Sequence, residues 1–148
     1  MDTKKNFKDN IFIKRDITYI VGDLNGDWER IDLKYGDLAY YNKNWNSTIN
    51  INSTCSSSKD YNYILLSDSL LSGLQNKKLI ERSITSVNYE DALESKYYGD
   101  YENNRVKISV VVYKHDLCIY DFSYISNEMY FEKGYSEFKK FISDFRLI

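Results

Sequence analysis

The chain has 148 residues, 43% of them apolar and 16% aromatic, enough to fill one core at the usual size of a single domain. Twenty Lys and Arg against 22 Asp and Glu leave a formal charge of −2, so the basic excess that neutralises a phosphate backbone is missing and nucleic acid is disfavoured as a partner. The aromatic share excludes disorder, because disordered chains lack the groups whose burial offsets chain entropy.

There is no proline, and the 15 tyrosines read as sheet material rather than as a ligand-stacking surface. Residues 1–16 are polar and aperiodic and are expected to form a flexible N-terminal arm ahead of one domain over 17–148. The first twenty residues mix Lys4, Lys5, Lys8, Lys14 and Arg15 with isolated apolar positions, so no signal peptide is expected there. No stretch approaches the roughly 18 uninterrupted apolar residues that span a bilayer as a helix.

From Trp28 the pattern predicts short strands over Trp28–Leu33, Asp37–Tyr41 and Ser47–Asn52, joined as a meander through Tyr35-Gly36 and Asn42–Asn46. Strict alternation places Ile49 and Ile51 on one sheet face and Asn50 and Asn52 on the other. Past the polar run Ser53–Asp60, the spacing of Tyr63, Leu66, Leu70 and Leu74 predicts an amphipathic helix that ends near Gly73–Asn76.

Strands follow over Leu79–Val87 and Ala92–Tyr101, then a hairpin of Arg105–Tyr113 and Leu117–Ser126 around Lys114-His115-Asp116. Phe138, Phe141, Ile142 and Phe145 fall at i, i+3, i+4 and i+7, which predicts a closing helix over Tyr135–Leu147 with its aromatic stripe on a sheet. The element order is α+β with a largely antiparallel sheet.

Catalytic chemistry needs a nucleophile with a base, a carboxylate pair or metal ligands. His115 is the only histidine and is expected at an exposed turn beside Asp116, which is poor ground for a positioned general base. Glu90 and Asp91 are adjacent, so a strand would point them to opposite faces. No G-x-S-x-G, H-E-x-x-H, P-loop or G-x-G-x-x-G run occurs, and the expectation is no enzyme and no cofactor.

Gly22–Asp27 places Asp23, Asn25 and Asp27 at alternate positions, like a calcium loop or the opening of a dockerin repeat. Counted from Asp23, however, the glycine position is Trp28 and the acidic twelfth position is Lys34, so the segment reads as a polar turn and no metal site is assigned. The acceptor pattern for glycosylation at Asn46 and Asn52 carries little weight in an asparagine-rich chain. Cys55 and Cys118 belong to no metal or redox motif; in an oxidising compartment they could bridge, and in the cytosol both would be buried thiols.

In order, the chain carries Trp28, Asp37-Leu38-Ala39-Tyr40-Tyr41-Asn42, Ile49-Asn50-Ile51-Asn52-Ser53-Thr54-Cys55, Leu70-Leu71-Ser72-Gly73-Leu74 and Asp91-Ala92-Leu93. Val110-Val111-Val112-Tyr113-Lys114, Cys118-Ile119-Tyr120-Asp121-Phe122 and Phe138–Phe145 follow. Over about the last four-fifths of the chain this resembles small bacterial envelope lipoproteins with a Mog/PsbP-like fold. The resemblance implies an α/β/α sandwich around a largely antiparallel sheet of about six strands with helices on both faces.

The resemblance also implies export to the periplasmic face of the cell envelope, a lipid anchor in the full-length protein as the sole membrane contact, and a disulfide between Cys55 and Cys118. The implied role is a non-catalytic binding or assembly factor whose partner is a protein at or near the membrane. The alternatives are a periplasmic carrier of a small ligand held between sheet and helix, and a cytosolic Mog-like protein-binding regulator with free thiols.

Overall fold

The computed structural model describes residues 5–55, 71 and 73–148. The strands are β1 (Lys5–Lys8), β2 (Ile11–Lys14), β3 (Ile17–Ile20), β4 (Trp28–Ile31), β5 (Leu38–Asn42) and β6 (Ser47–Cys55). They continue with β7 (Gln75–Val87), β8 (Glu90–Tyr101), β9 (Asn104–His115) and β10 (Cys118–Asn127), and after helix α1 (Phe131–Ser143) comes β11 (Arg146–Leu147). All pairings are antiparallel, in a four-stranded sheet ordered β1-β2-β3-β11 and a seven-stranded sheet ordered β4-β5-β6-β10-β9-β8-β7.

Tight turns set these registers. Asp9-Asn10, Asn88-Tyr89 and Glu102-Asn103 each place two consecutive residues at positive φ, the backbone of hairpin turns whose twist matches that of the flanking strands. The β9–β10 turn falls on Asp116-Leu117, one residue later than the spacing suggests, with Asp116 at φ 53.

The meander β4-β5-β6 forms as expected, and Ile49 and Ile51 are fully buried while Asn50 and Asn52 face the other side. Alternation on β9 and β10 then splits the large sheet into two faces. Tyr113, Val111, Tyr120, Phe122 and Tyr124 share one core with Ile49, Ile51 and α1. Val106, Ile108, Val110 and Val112 form a second core on the opposite face, where Leu71 and Leu74 pack. The helix expected around Tyr63, Leu66 and Leu70 lies outside the described residues.

Helix α1 begins about one turn before its predicted start. Asn127 caps a 3-10 turn at Glu128–Tyr130 by accepting from the Met129 amide at 2.8 Å, and Phe131 and Tyr135 extend the aromatic stripe backwards. Phe131, Phe138, Phe141 and Ile142 are buried, each contributing about 1.5–3 kcal/mol. Tyr124 stacks on Phe138 at 5.4 Å and Tyr40 meets Phe141 edge-on at 5.4 Å, so aromatic rings fill the space between α1 and the sheet.

The arm expected over residues 1–16 is corrected by the structure, because residues 5–14 build β1 and β2 of the four-stranded sheet. Phe12 is 1% exposed and stacks on Tyr19 at 4.9 Å, and Phe7 packs against the same core. One or two inward-facing residues per short strand are enough here, Phe7 in β1, Phe12 in β2, and Ile17 and Tyr19 in β3, since the second sheet needs to bury only the face turned towards Tyr120 and Phe145. The fold is therefore richer in sheet than the expected six-stranded sandwich: the layer sharing the α1 side of the large sheet is itself a sheet.

Candidate functional site

One end of the seven-stranded sheet gathers most of the polar chemistry among the described residues. Antiparallel register lines up the start of β8, the end of β9, the start of β10 and the end of β6, bringing Glu90, His115, Cys118 and Cys55 into one row. Cys118 stands opposite Cys55, and the two form a disulfide with Cα atoms 4.0 Å apart.

On one side of that bridge lies a hydrogen-bonded cluster. The Tyr113 hydroxyl donates to Glu90 Oε1 at 2.5 Å, His115 Nδ1 is 3.0 Å from the same oxygen, and Asn88 Nδ2 donates to the Tyr113 hydroxyl at 3.1 Å. Burial and the neighbouring Glu90 push the Tyr113 phenol up to about 12, so it stays a donor. The bond from Tyr113, with a smaller contribution from His115, holds Glu90 below the usual carboxylate range despite some desolvation. His115 sits at the end of β9, 38% exposed, with Asp116 3.5 Å from Nε2. The predicted divergence of Glu90 and Asp91 is what permits this: Glu90 joins the cluster and Asp91 is exposed.

On the other side lies a pair that the sequence did not suggest. Asp37, whose side chain is 1% exposed, accepts from Lys14 Nζ at 2.8 Å and from the Tyr19 hydroxyl at 2.9 Å, and the Ser53 hydroxyl donates to it as well. Lys14 also donates to the Ser53 carbonyl at 3.0 Å, so one buried carboxylate ties β2 and β3 of the small sheet to β5 and β6 of the large one. Tyr19 meets Tyr120 edge-on at 6.2 Å, and Tyr120 stacks on Tyr113 at 5.8 Å, which joins the two polar clusters through packed rings. Burial, reinforced by Asp37, raises the Tyr19 phenol well above its ordinary value. The alternation of Phe12 with Lys14 was the available signal for this pair, hidden by the charged residues around it.

A third cluster docks α1. Glu94, 4% exposed, accepts from Ser109 Oγ and the Tyr135 hydroxyl at 2.6 Å and from Lys139 Nζ at 2.8 Å. Desolvation alone would raise this carboxyl, but those three donors outweigh it and hold Glu94 below the usual range. Every donor belongs to the sheet or to α1, so the cluster is structural.

Asp121 lies on the opposite face of β10, where Asn52 Nδ2 donates to it at 3.4 Å. Burial, with a smaller push from Asp37, raises it from 3.8 to about 6, against the pull of Asn52 and Lys14. A carboxyl raised on folding binds its proton more tightly in the native state, so its cost is absent below about pH 4, grows through the window up to about pH 6 and is complete above it. Asp121→Asn is expected to stabilise the protein by about 2 kcal/mol at pH 7 and by nothing at pH 3.5, read from urea unfolding at both pH values. An equal effect at the two pH values would show that the gain does not come from the charge.

The segment Gly22–Asp27 is an irregular connection before β4. Asp23 Oδ1 accepts from Asn10 Nδ2 and Asp27 Oδ2 from Asn44 Nδ2, each at 2.5 Å, so one oxygen of each carboxylate serves a local side-chain bond. Among the described residues no group of three His, Cys, Asp or Glu could hold a metal ion. Beside the disulfide, a cleft of about 750 Å³ opens between the small sheet and the end of β6, with Lys5, Lys14, Asp16, Lys34, Tyr35 and Cys55 on its wall. The Glu90–Tyr113–His115 cluster and the cleft present their polar groups at the surface, whereas the Asp37 and Glu94 clusters hold elements of the fold together.

No protein-family model matches the chain, and no curated protein matches it in sequence. Solved structures do. The chain is similar to cyanobacterial PsbP (CyanoP) from Synechocystis sp. PCC 6803, at 10% identity and a TM-score of 0.62 over 100% of this chain and 94% of that one. LpqN of Mycobacterium tuberculosis, described as involved in cell envelope biogenesis, matches at 7% identity and a TM-score of 0.66 over 99% and 90%. The Ran-binding protein Mog1p of Saccharomyces cerevisiae matches at 9% identity and a TM-score of 0.61 over 99% and 96%. These likenesses establish a Mog/PsbP-like fold.

Proposed function

We propose that the chain is a binding or assembly factor of the bacterial cell envelope, acting by surface recognition on a membrane-associated protein complex and not by catalysis. The observation that carries this reading is the fold, shared over nearly the whole chain with a protein involved in envelope biogenesis and with a Ran-binding protein. The Cys55–Cys118 bridge supports the envelope side of it, because disulfides persist in oxidising compartments. In this reading a lipid anchor of the full-length protein holds the domain on the periplasmic face, where its rigid sheet presents the Glu90–Tyr113–His115 cluster at one end.

Between the large sheet and α1, one place where a carrier would hold its ligand, the space is filled by Tyr124, Phe138, Tyr40 and Phe141. Recognition of a protein requires only the fixed outer surface. Affinity capture from cross-linked membranes of the native host is expected to recover the same membrane-associated protein in independent preparations. Recovery of no reproducible protein partner would overturn the reading.

A further inference from the structure

We infer that the cleft beside the disulfide is a binding site for a phosphomonoester, with Lys5 and Lys34 as the phosphate-contacting cations and Tyr35 against the organic body of the ligand. This site stands apart from the protein-recognition reading and does not depend on it. Among the described residues four cationic side chains line the cleft, Lys5, Lys14, Arg15 and Lys34, against one carboxylate, Asp16, in a chain whose net charge is −2. Lys14 is committed to Asp37.

Lys5 and Lys34 have no carboxylate within ion-pair distance among the described residues. The Lys5 ammonium donates to the carbonyls of Leu33 at 2.9 Å and Gly36 at 2.7 Å, which fixes it in place and leaves the third of its donors unused. Neutral carbonyls cannot cancel its charge. Gly36 makes this seat possible: it sits at φ +84, and a Cβ there would come within 2.5 Å of Asn52 Oδ1.

Two ammonium groups without counter-charge call for more than one negative charge. A phosphomonoester carries about −1.5 to −2 at pH 7 and several acceptor oxygens, whereas a carboxylate carries one charge. Tyr35 is 79% exposed on the same wall, and Lys34 Nζ lies 5.6 Å from its ring centroid, so an apolar ring face stands beside the cationic pair. That combination fits a ring-bearing ligand such as a sugar phosphate. The volume of about 750 Å³ falls within the range of small-ligand sites.

The test is calorimetric titration with glucose 6-phosphate and with inorganic phosphate, together with sedimentation on phosphatidylcholine vesicles with and without phosphatidic acid. Lys5→Gln/Lys34→Gln is compared with Lys43→Gln/Lys133→Gln, which removes the same charge from exposed positions elsewhere. Saturable binding of glucose 6-phosphate is expected, tighter than that of inorganic phosphate and at least tenfold weaker in the first variant only. Binding confined to phosphatidic acid vesicles and lost in that variant would support the same phosphate chemistry with a lipid headgroup as its source. Absence of binding to every probe, or equal weakening in both variants, would overturn the site. Thermal unfolding of both variants confirms that they are folded.

Discussion

Removal of residues 1–16 is expected to abolish cooperative folding. The deletion takes away β1 and β2, exposes the Tyr19 face that Phe12 covers at 4.9 Å, and strips Lys14 from a carboxylate whose side chain is 1% exposed. Phe12→Ala alone should cost about 3–5 kcal/mol through lost burial and the cavity it leaves. Leaving Asp37 without its cation adds about 3 kcal/mol more, since a buried charge that loses its partner is strongly destabilising. A domain has about 5–15 kcal/mol of stability in all, so the deletion consumes most or all of it. Far-ultraviolet circular dichroism and urea unfolding of the 17–148 chain and of the Phe12→Ala variant of residues 1–148 provide the measurement. An unchanged midpoint in both would return residues 1–16 to the status of a loose arm.

That outcome bears on how a sequence conveys its fold. Strands β6 and β10 were legible because burial of one face writes a period of two into them: Ile49 with Ile51, and Tyr120, Phe122 and Tyr124, could be assigned to a face from their spacing. The closing helix was legible for the same reason with a period near 3.6, although its start was missed because it follows directly on a short 3-10 turn capped by Asn127 and has no side-chain cap of its own to mark it.

The small sheet was not legible. Each of its strands has four residues or fewer, and β2 buries Phe12 between two less buried isoleucines, with a lysine at the next position on its face, so no apolar/polar alternation marks it. Lys14 is there because Asp37 is buried opposite it, and that carboxylate belongs to another element more than twenty residues away. A local window contains one half of such a pair. The same limit hides the cleft, whose cations come from β1, the end of β2, the β2–β3 turn and the loop before β5.

Replacement of both cysteines, Cys55→Ser/Cys118→Ser, is expected to lower stability by about 4 kcal/mol and the melting temperature by about 10 °C. The two residues are 63 apart in sequence yet directly opposed on adjacent strands, so the bridge closes a loop containing β7, β8 and β9. In the folded protein the flanking ladder, from Ile119–Thr54 to Ile125–Thr48, already holds the strands together. The bridge therefore acts chiefly by restricting the unfolded chain, and the serine variant should keep the native circular dichroism spectrum while unfolding at lower urea. Reduction of the wild-type protein should reproduce the same shift. A loss of native structure in the variant at low temperature would show instead that the bridge is needed to align β6 with β10. The bridge also reports the compartment: thiol titration of protein denatured straight from its own host should find none free if the chain works in the envelope. Two free thiols there would remove the support the bridge gives to that location and favour a cytosolic regulator built on the same fold.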